Sequence, residues 1–235
     1  MNGVKELTRD IPVSGGMAGD GAKFENTYVF TNEGLLTKGA VGVSINSDTL
    51  HVSTFYSFNW QEIGKELEVT KLTENRVYEL DGISAVDVYA RYLGQEIADS
   101  LPAAGIEFPL IITRNGMKIA RAVVVKESDG SLIFAGNLNV GDRVRFGYGQ
   151  SGLILSESVK TKNIFSKEGV ESIFIYSCMA RRRFLQESIS TELTPFANIA
   201  PTTGFFTYGE FFKAENCELL NQTMTVLAMS ECTAP

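Results

Sequence analysis

Three consecutive arginines, Arg181 to Arg183, stand just past the apolar run ESIFIYSC, which ends in Ser177 and Cys178. Guanidinium groups grip carboxylates and phosphates bidentately. A strand end that feeds a helix is where open sheets place ligands, and the amides that start the helix add positive character. Neighbours on a helix fan out by about 100°. One or two of the three arginines can therefore face a pocket; the others meet solvent or acidic side chains such as Glu187. Further on, GFFTYGE spans Gly204 to Glu210. If it is one strand, Phe206, Tyr208 and Glu210 share a face. A buried carboxylate there needs a partner. An arginine from the neighbouring helix would serve, as a structural brace or as the far wall of a ligand site.

Other candidate chemistry is thinner. GYGQSG, Gly147 to Gly152, fits G-x-G-x-x-G between a strand and a helix, but no acidic residue closes the next strand to hold a ribose. Cys178 lies near positive charge, which favours a thiolate, yet no general base accompanies it and a small buried residue is the plainer reading. The only histidine, His51, sits in LHVSTF. That single histidine excludes a histidine-rich zinc site, and its functional reading is as a metal or haem ligand against a half-exposed strand residue. The three cysteines have no metal spacing and read as reduced thiols of a cytoplasmic protein.

Bulk properties narrow the classes further. A net charge of −7 disfavours nucleic acid and anionic membrane surfaces, both of which select basic faces. No apolar run approaches the ~18 residues of a spanning helix, and MNGVKELTRD has no signal-peptide core.

Several elements must position these residues. IPVSGG, TYVFT, GAVGVSI and LHVSTFYSF alternate in polarity like strands, and KELEVTKL with NRVYEL reads as a hairpin. DGISAVDVYARYLG predicts a helix with Ala85, Val88, Tyr89 and Tyr92 on one face, a Ser84–Asp87 capping box and a stop at Gly94. A meander through FPLIIT, MKIARAVVV and SLIFAG turns at Asn115-Gly116 and Asp129-Gly130. DRVRF, a helix over 153–166 and ESIFIYSC read as a β-α-β unit. ARRRFLQESISTEL reads as one further helix, and GFFTYGEFF and TMTVLAMSE as closing strands. The class is α+β: mixed, largely antiparallel sheets with helices packed on them.

YSCMARRRFL, PTTGFFTYGEF and NQTMTVLAMSE, in that order, resemble the C-terminal half of the FIST domain. IPVSGGMAGDG and GAVGVSI resemble the later part of its N-terminal half. The resemblance implies a partial N-terminal sub-domain over 1–75 and a C-terminal sub-domain over 76–235. It also implies roughly another hundred residues ahead of IPVSGG in a whole domain, with MNGVKELTRD as the tail of a helix. The implied function is a non-catalytic bacterial sensory module for a small anionic or zwitterionic ligand such as an amino acid. Its signalling output domain or protein would act in trans. The alternatives are a haem-binding nitric oxide sensor with His51 as ligand, or an interaction scaffold. The candidate ligand contacts are Ser177, Cys178, Arg181, Arg182, Tyr208, Glu210 and Asn221. No catalytic residue and no resident metal are expected.

Overall fold

The computed structural model describes residues 11–21, 23–165, 169–213 and 217–231. The expected N-terminal helix tail and Cys232 lie outside the described residues. Strands β1 (Ser14–Gly16), β2 (Val29–Thr31), β3 (Gly34–Leu36), β4 (Leu50–Ser57), β5 (Gln61–Thr73), β6 (Arg76–Leu80) and β7 (Ile83–Ser84) come first. Helices α1 (Ala85–Leu93) and α2 (Gln95–Asp99) follow, then β8 (Leu110–Arg114), β9 (Met117–Arg121), β10 (Val123–Lys126), β11 (Leu132–Phe134) and β12 (Arg143–Tyr148). The last part holds α3 (Ser151–Phe165), β13 (Ser172–Cys178), α4 (Met179–Leu185) and α5 (Ile189–Ala197). It closes with β14 (Thr202–Thr207), β15 (Glu210–Lys213), β16 (Cys217–Leu220) and β17 (Met224–Glu231). With 23% helix, 42% strand and mostly antiparallel sheets, the class is α+β.

Two compact units divide the chain, each assembled from segments distant in sequence. The first takes Met1–Ser57, Leu155–Leu219 and Thr223–Pro235; the second takes Phe58–Ile154 and Leu220–Gln222.

The second unit holds an eight-stranded sheet in the order β10-β11-β6-β5-β12-β8-β9, with β7 beside β6. Its hairpins follow the turn chemistry: Asn115 and Gly116 both take positive φ, 50° and 75°, joining β8 to β9. Helix α1 buries Ala85, Val88 and Tyr89, and the Tyr89 ring meets Phe146 edge-on at 4.8 Å. The expected capping box does not form, because Ser84 Oγ donates to the Gly130 carbonyl instead, 3.1 Å away.

In the first unit a four-stranded sheet runs β14-β13-β17-β4, beside a three-stranded sheet β1-β15-β16 and a separate β2–β3 ribbon. Ile173, Ile175, Met224, Val226 and Ala228 face Phe165 of α3 and Phe196 of α5 in one apolar core. Four sequence expectations fail here. The β-α-β unit is not β12-α3-β13, since β12 pairs antiparallel with β5 and β8; the parallel pair is β13 and β14, bridged by α4 and α5. The single helix after Cys178 breaks at Gln186, where φ is 49°, and resumes through a short 3-10 turn. GFFTYGEFF splits into β14 and β15 at Tyr208-Gly209, so simple alternation cannot put Phe206, Tyr208 and Glu210 on one face. GAVGVSI forms no strand.

Candidate functional site

The site is built from the β13 strand end outward. In register, Ser177 faces Met224 on β17, which faces Ser57 on β4, so these three share the side that carries the helices. Cys178 and Thr207, one residue on, are partners on the opposite side. Cys178 is buried, heads α4, and its amide donates to the Thr223 carbonyl at 2.9 Å.

Arg181 enters on the helix side and is fully buried. Its Nη2 donates to Glu192 Oε1 in an ion pair in which neither side chain is exposed, and Nη1 reaches the Ser57 carbonyl at 3.4 Å. The acid is not Glu187, one turn on. The break at Gln186 turns the chain back so that α5 delivers Glu192, a contact no single-helix spacing predicts. Ser57 Oγ, Ser177 Oγ and Glu192 Oε2 are buried beside this pair with no hydrogen-bond partner. Arg182 points outward, its guanidinium 4.9 Å from the Phe206 ring, and Arg183 is also exposed, as the helical fan requires.

Glu210 occupies the opposite side of the strand ends and is fully buried. Thr207 Oγ1 donates to its Oε1; Thr223 donates to Oε2 from both Oγ1 (2.6 Å) and its amide (3.3 Å). Burial pushes the Glu210 carboxyl up to about 7, against these donors and the charge of Arg181, which pull it down. No ion pair reaches it among the described residues. Gly16 of β1 pairs with Glu210, and a Cβ on Gly16 would lie 2.2 Å from Thr207 Cγ2; only glycine lets β1 cross here.

Tyr208 leaves this group. Its hydroxyl donates to Asp20, and its ring stacks on Phe24 at 4.8 Å. Asp20 also accepts the amides of Phe24, Glu25 and Asn26, at 3.0, 2.7 and 3.1 Å. The tyrosine hydroxyl, then the amides, hold its carboxyl well below the usual range. Sequence reading missed this clasp. Nothing in MAGDG pointed across the chain to Tyr208.

Asn221 belongs to the second unit, where its Oδ1 accepts from Arg121 Nη1 at 2.6 Å. His51 is exposed on β4, with Nε2 3.2 Å from Ser53 Oγ and Ser230 as its register partner. Among the described residues no group of three or more His, Cys, Asp or Glu is placed to hold a metal ion, and no helix is long and apolar enough to cross a membrane.

A module of mixed, mainly antiparallel sheets with a charged strand end buried under helices is what the fold defines. The FIST N domain model matches residues 1–83 and the FIST C domain model matches residues 85–213, so the chain belongs to the FIST domain family. FIST domains are small-ligand sensory modules of signal transduction and are non-catalytic. Neither the curated proteins nor the solved structures give a match.

Proposed function

We propose that the chain is a sensory module that binds a small zwitterionic ligand, such as an amino acid, at the β13 strand end, and passes the binding signal to an output domain or protein in trans. Glu210 carries this assignment. It is a carboxylate held in a fully buried place by two threonines, with no cation paired to it among the described residues. Desolvation alone makes such a group costly to ionise, and a ligand ammonium is the partner that offsets the cost. Arg181 is committed to Glu192 and Arg182 lies over Phe206 on the helix side, so neither shares a face with Glu210, and the reading rests on the ligand's ammonium.

The test is calorimetry of the folded chain against a panel of amino acids. An ammonium that enters beside Glu210 favours its ionised form. Binding near neutral pH then releases a proton, and the heat depends on the buffer's own ionisation enthalpy. Glu210→Gln removes that dependence. No heat with any member of the panel, from a chain shown to be folded, overturns the assignment. Haem added to the same sample separates the haem alternative: no Soret band sensitive to His51→Ala is expected.

A further inference from the structure

On the side of the four-stranded sheet that turns away from the helices, the group around Glu210 is followed by a row of rings. Tyr176 lies two residues before Cys178 on β13 and so shares the side of Cys178 and Thr207. In register with Tyr176 are Phe205 on β14 and Thr225 on β17, and Thr225 is in register with Tyr56 on β4. The Phe205 ring meets Tyr176 edge-on at 5.2 Å. Phe212 of β15 is on the same side of its strand as Glu210, and its ring centre lies 5.0 Å from that of Tyr56. Two successive rows thus carry different chemistry: threonines that hold a carboxylate, then aromatic rings. Same-side residues two apart along a strand are about 7 Å apart, a step that a small molecule spans with its ammonium in one row and its side chain in the next.

The rows also differ in cover. Glu210, Thr207 and Thr223 are buried, whereas Phe205 is 51% exposed and Tyr56 and Tyr176 are half-buried. The ring row is where this side of the sheet meets solvent, and a ligand reaches it first. It holds no acid and no base, so it offers a ligand apolar and aromatic contact and no second charge. One polar group faces it from β1. Ser14 pairs with Phe212 as Gly16 pairs with Glu210, which puts the serine side chain on the same side. Its Oγ is buried and has no hydrogen-bond partner among the described residues. A hydroxyl left in that state costs free energy that a ligand acceptor offsets. We propose that the ring row sets the selectivity of the site. The ligand is an amino acid with an aromatic or large apolar side chain, which lies among Tyr56, Tyr176, Phe205 and Phe212 while the carboxylate accepts from Ser14 Oγ. This rests on the reading of Glu210 as the partner of the ligand's ammonium.

Calorimetry on the full chain with glycine, phenylalanine, phenethylamine and phenylacetate tests it. Phenylalanine binds about tenfold or more tighter than glycine. Phenethylamine, which keeps the ammonium and the ring, binds more weakly than phenylalanine; phenylacetate, which lacks the ammonium, does not bind. Phe205→Ala changes an exposed position and leaves the circular dichroism as it was. It weakens phenylalanine about threefold or more and leaves glycine unchanged. Ser14→Ala weakens phenylalanine and leaves phenethylamine unchanged. Glycine as tight as phenylalanine, or phenylalanine binding indifferent to Phe205→Ala or to Ser14→Ala, overturns this inference and leaves the ammonium reading of Glu210 standing. Binding of phenylacetate as tight as that of phenylalanine, or no binding by any of the amines, overturns both.

Discussion

Replacing Glu192 by alanine removes the carboxylate that neutralises Arg181 and leaves the guanidinium where it is. Neither side chain has any exposed surface, so water cannot take the acid's place without opening the packing between α4 and α5. Leaving one member of a buried pair uncompensated costs about 3–5 kcal/mol. A domain's whole stability is about 5–15 kcal/mol, so the loss is large. Exchanging both partners for apolar residues of similar volume is close to neutral in comparable buried pairs. The double variant Arg181→Met/Glu192→Leu is therefore expected to recover most of what Glu192→Ala loses. Urea denaturation is the assay, followed by far-UV circular dichroism. The only tryptophan, Trp60, lies in the second unit, and its fluorescence reports there. A cost below about 1 kcal/mol for Glu192→Ala, or a double variant no more stable than the single one, refutes the account of a dry, mutually dependent pair.

Glu210 gives a pH signature. Its folded value of about 7 lies above the ordinary 4.5, so the folded state holds a proton that the unfolded state has lost. Stability is then greatest below about pH 4.5 as far as this group is concerned, falls through the window up to about pH 7, and is flat above it. Glu210→Gln removes that slope in denaturation midpoints measured across the window; an unchanged slope assigns it elsewhere. Tyr208→Phe takes the hydroxyl from Asp20 and loosens the 20–26 loop, so trypsin cuts faster after the exposed Lys23; an unchanged rate shows that the hydroxyl does not hold the loop. Gly204→Ala places a Cβ 1.8 Å from the Ile175 carbonyl oxygen, inside the parallel β13–β14 pair. A loss of about 2–3 kcal/mol or more is expected, or failure to fold, read from thermal unfolding.

Much of the fold follows from local chemistry. The Asn115-Gly116 turn, the buried face of α1 and the alternating strands around His51 and Tyr78 are set by residues near each other in sequence. Turn residues and periodicity act over a few positions, and so they are legible without a structure. The family likeness was legible for the same reason, as ordered short motifs. The helical fan likewise showed that not all of Arg181 to Arg183 could face inward, though not which of them would.

Tertiary structure decided the rest, because it turns on where the chain returns. Whether Arg181 meets Glu187, Glu192 or Glu210 depends on a helix break at Gln186, a positive φ that no rule of spacing assigns to glutamine. Whether Tyr208 joins Glu210 depends on a two-residue break between strands, and its true partner, Asp20, lies 188 residues away. Asn221 falls within a three-residue segment that packs with the second unit, although both flanking segments belong to the first. Residue types fix what a side chain is able to bind. Which group it finds is fixed by burial, since a charge taken from water must pair with whatever the fold brings within reach.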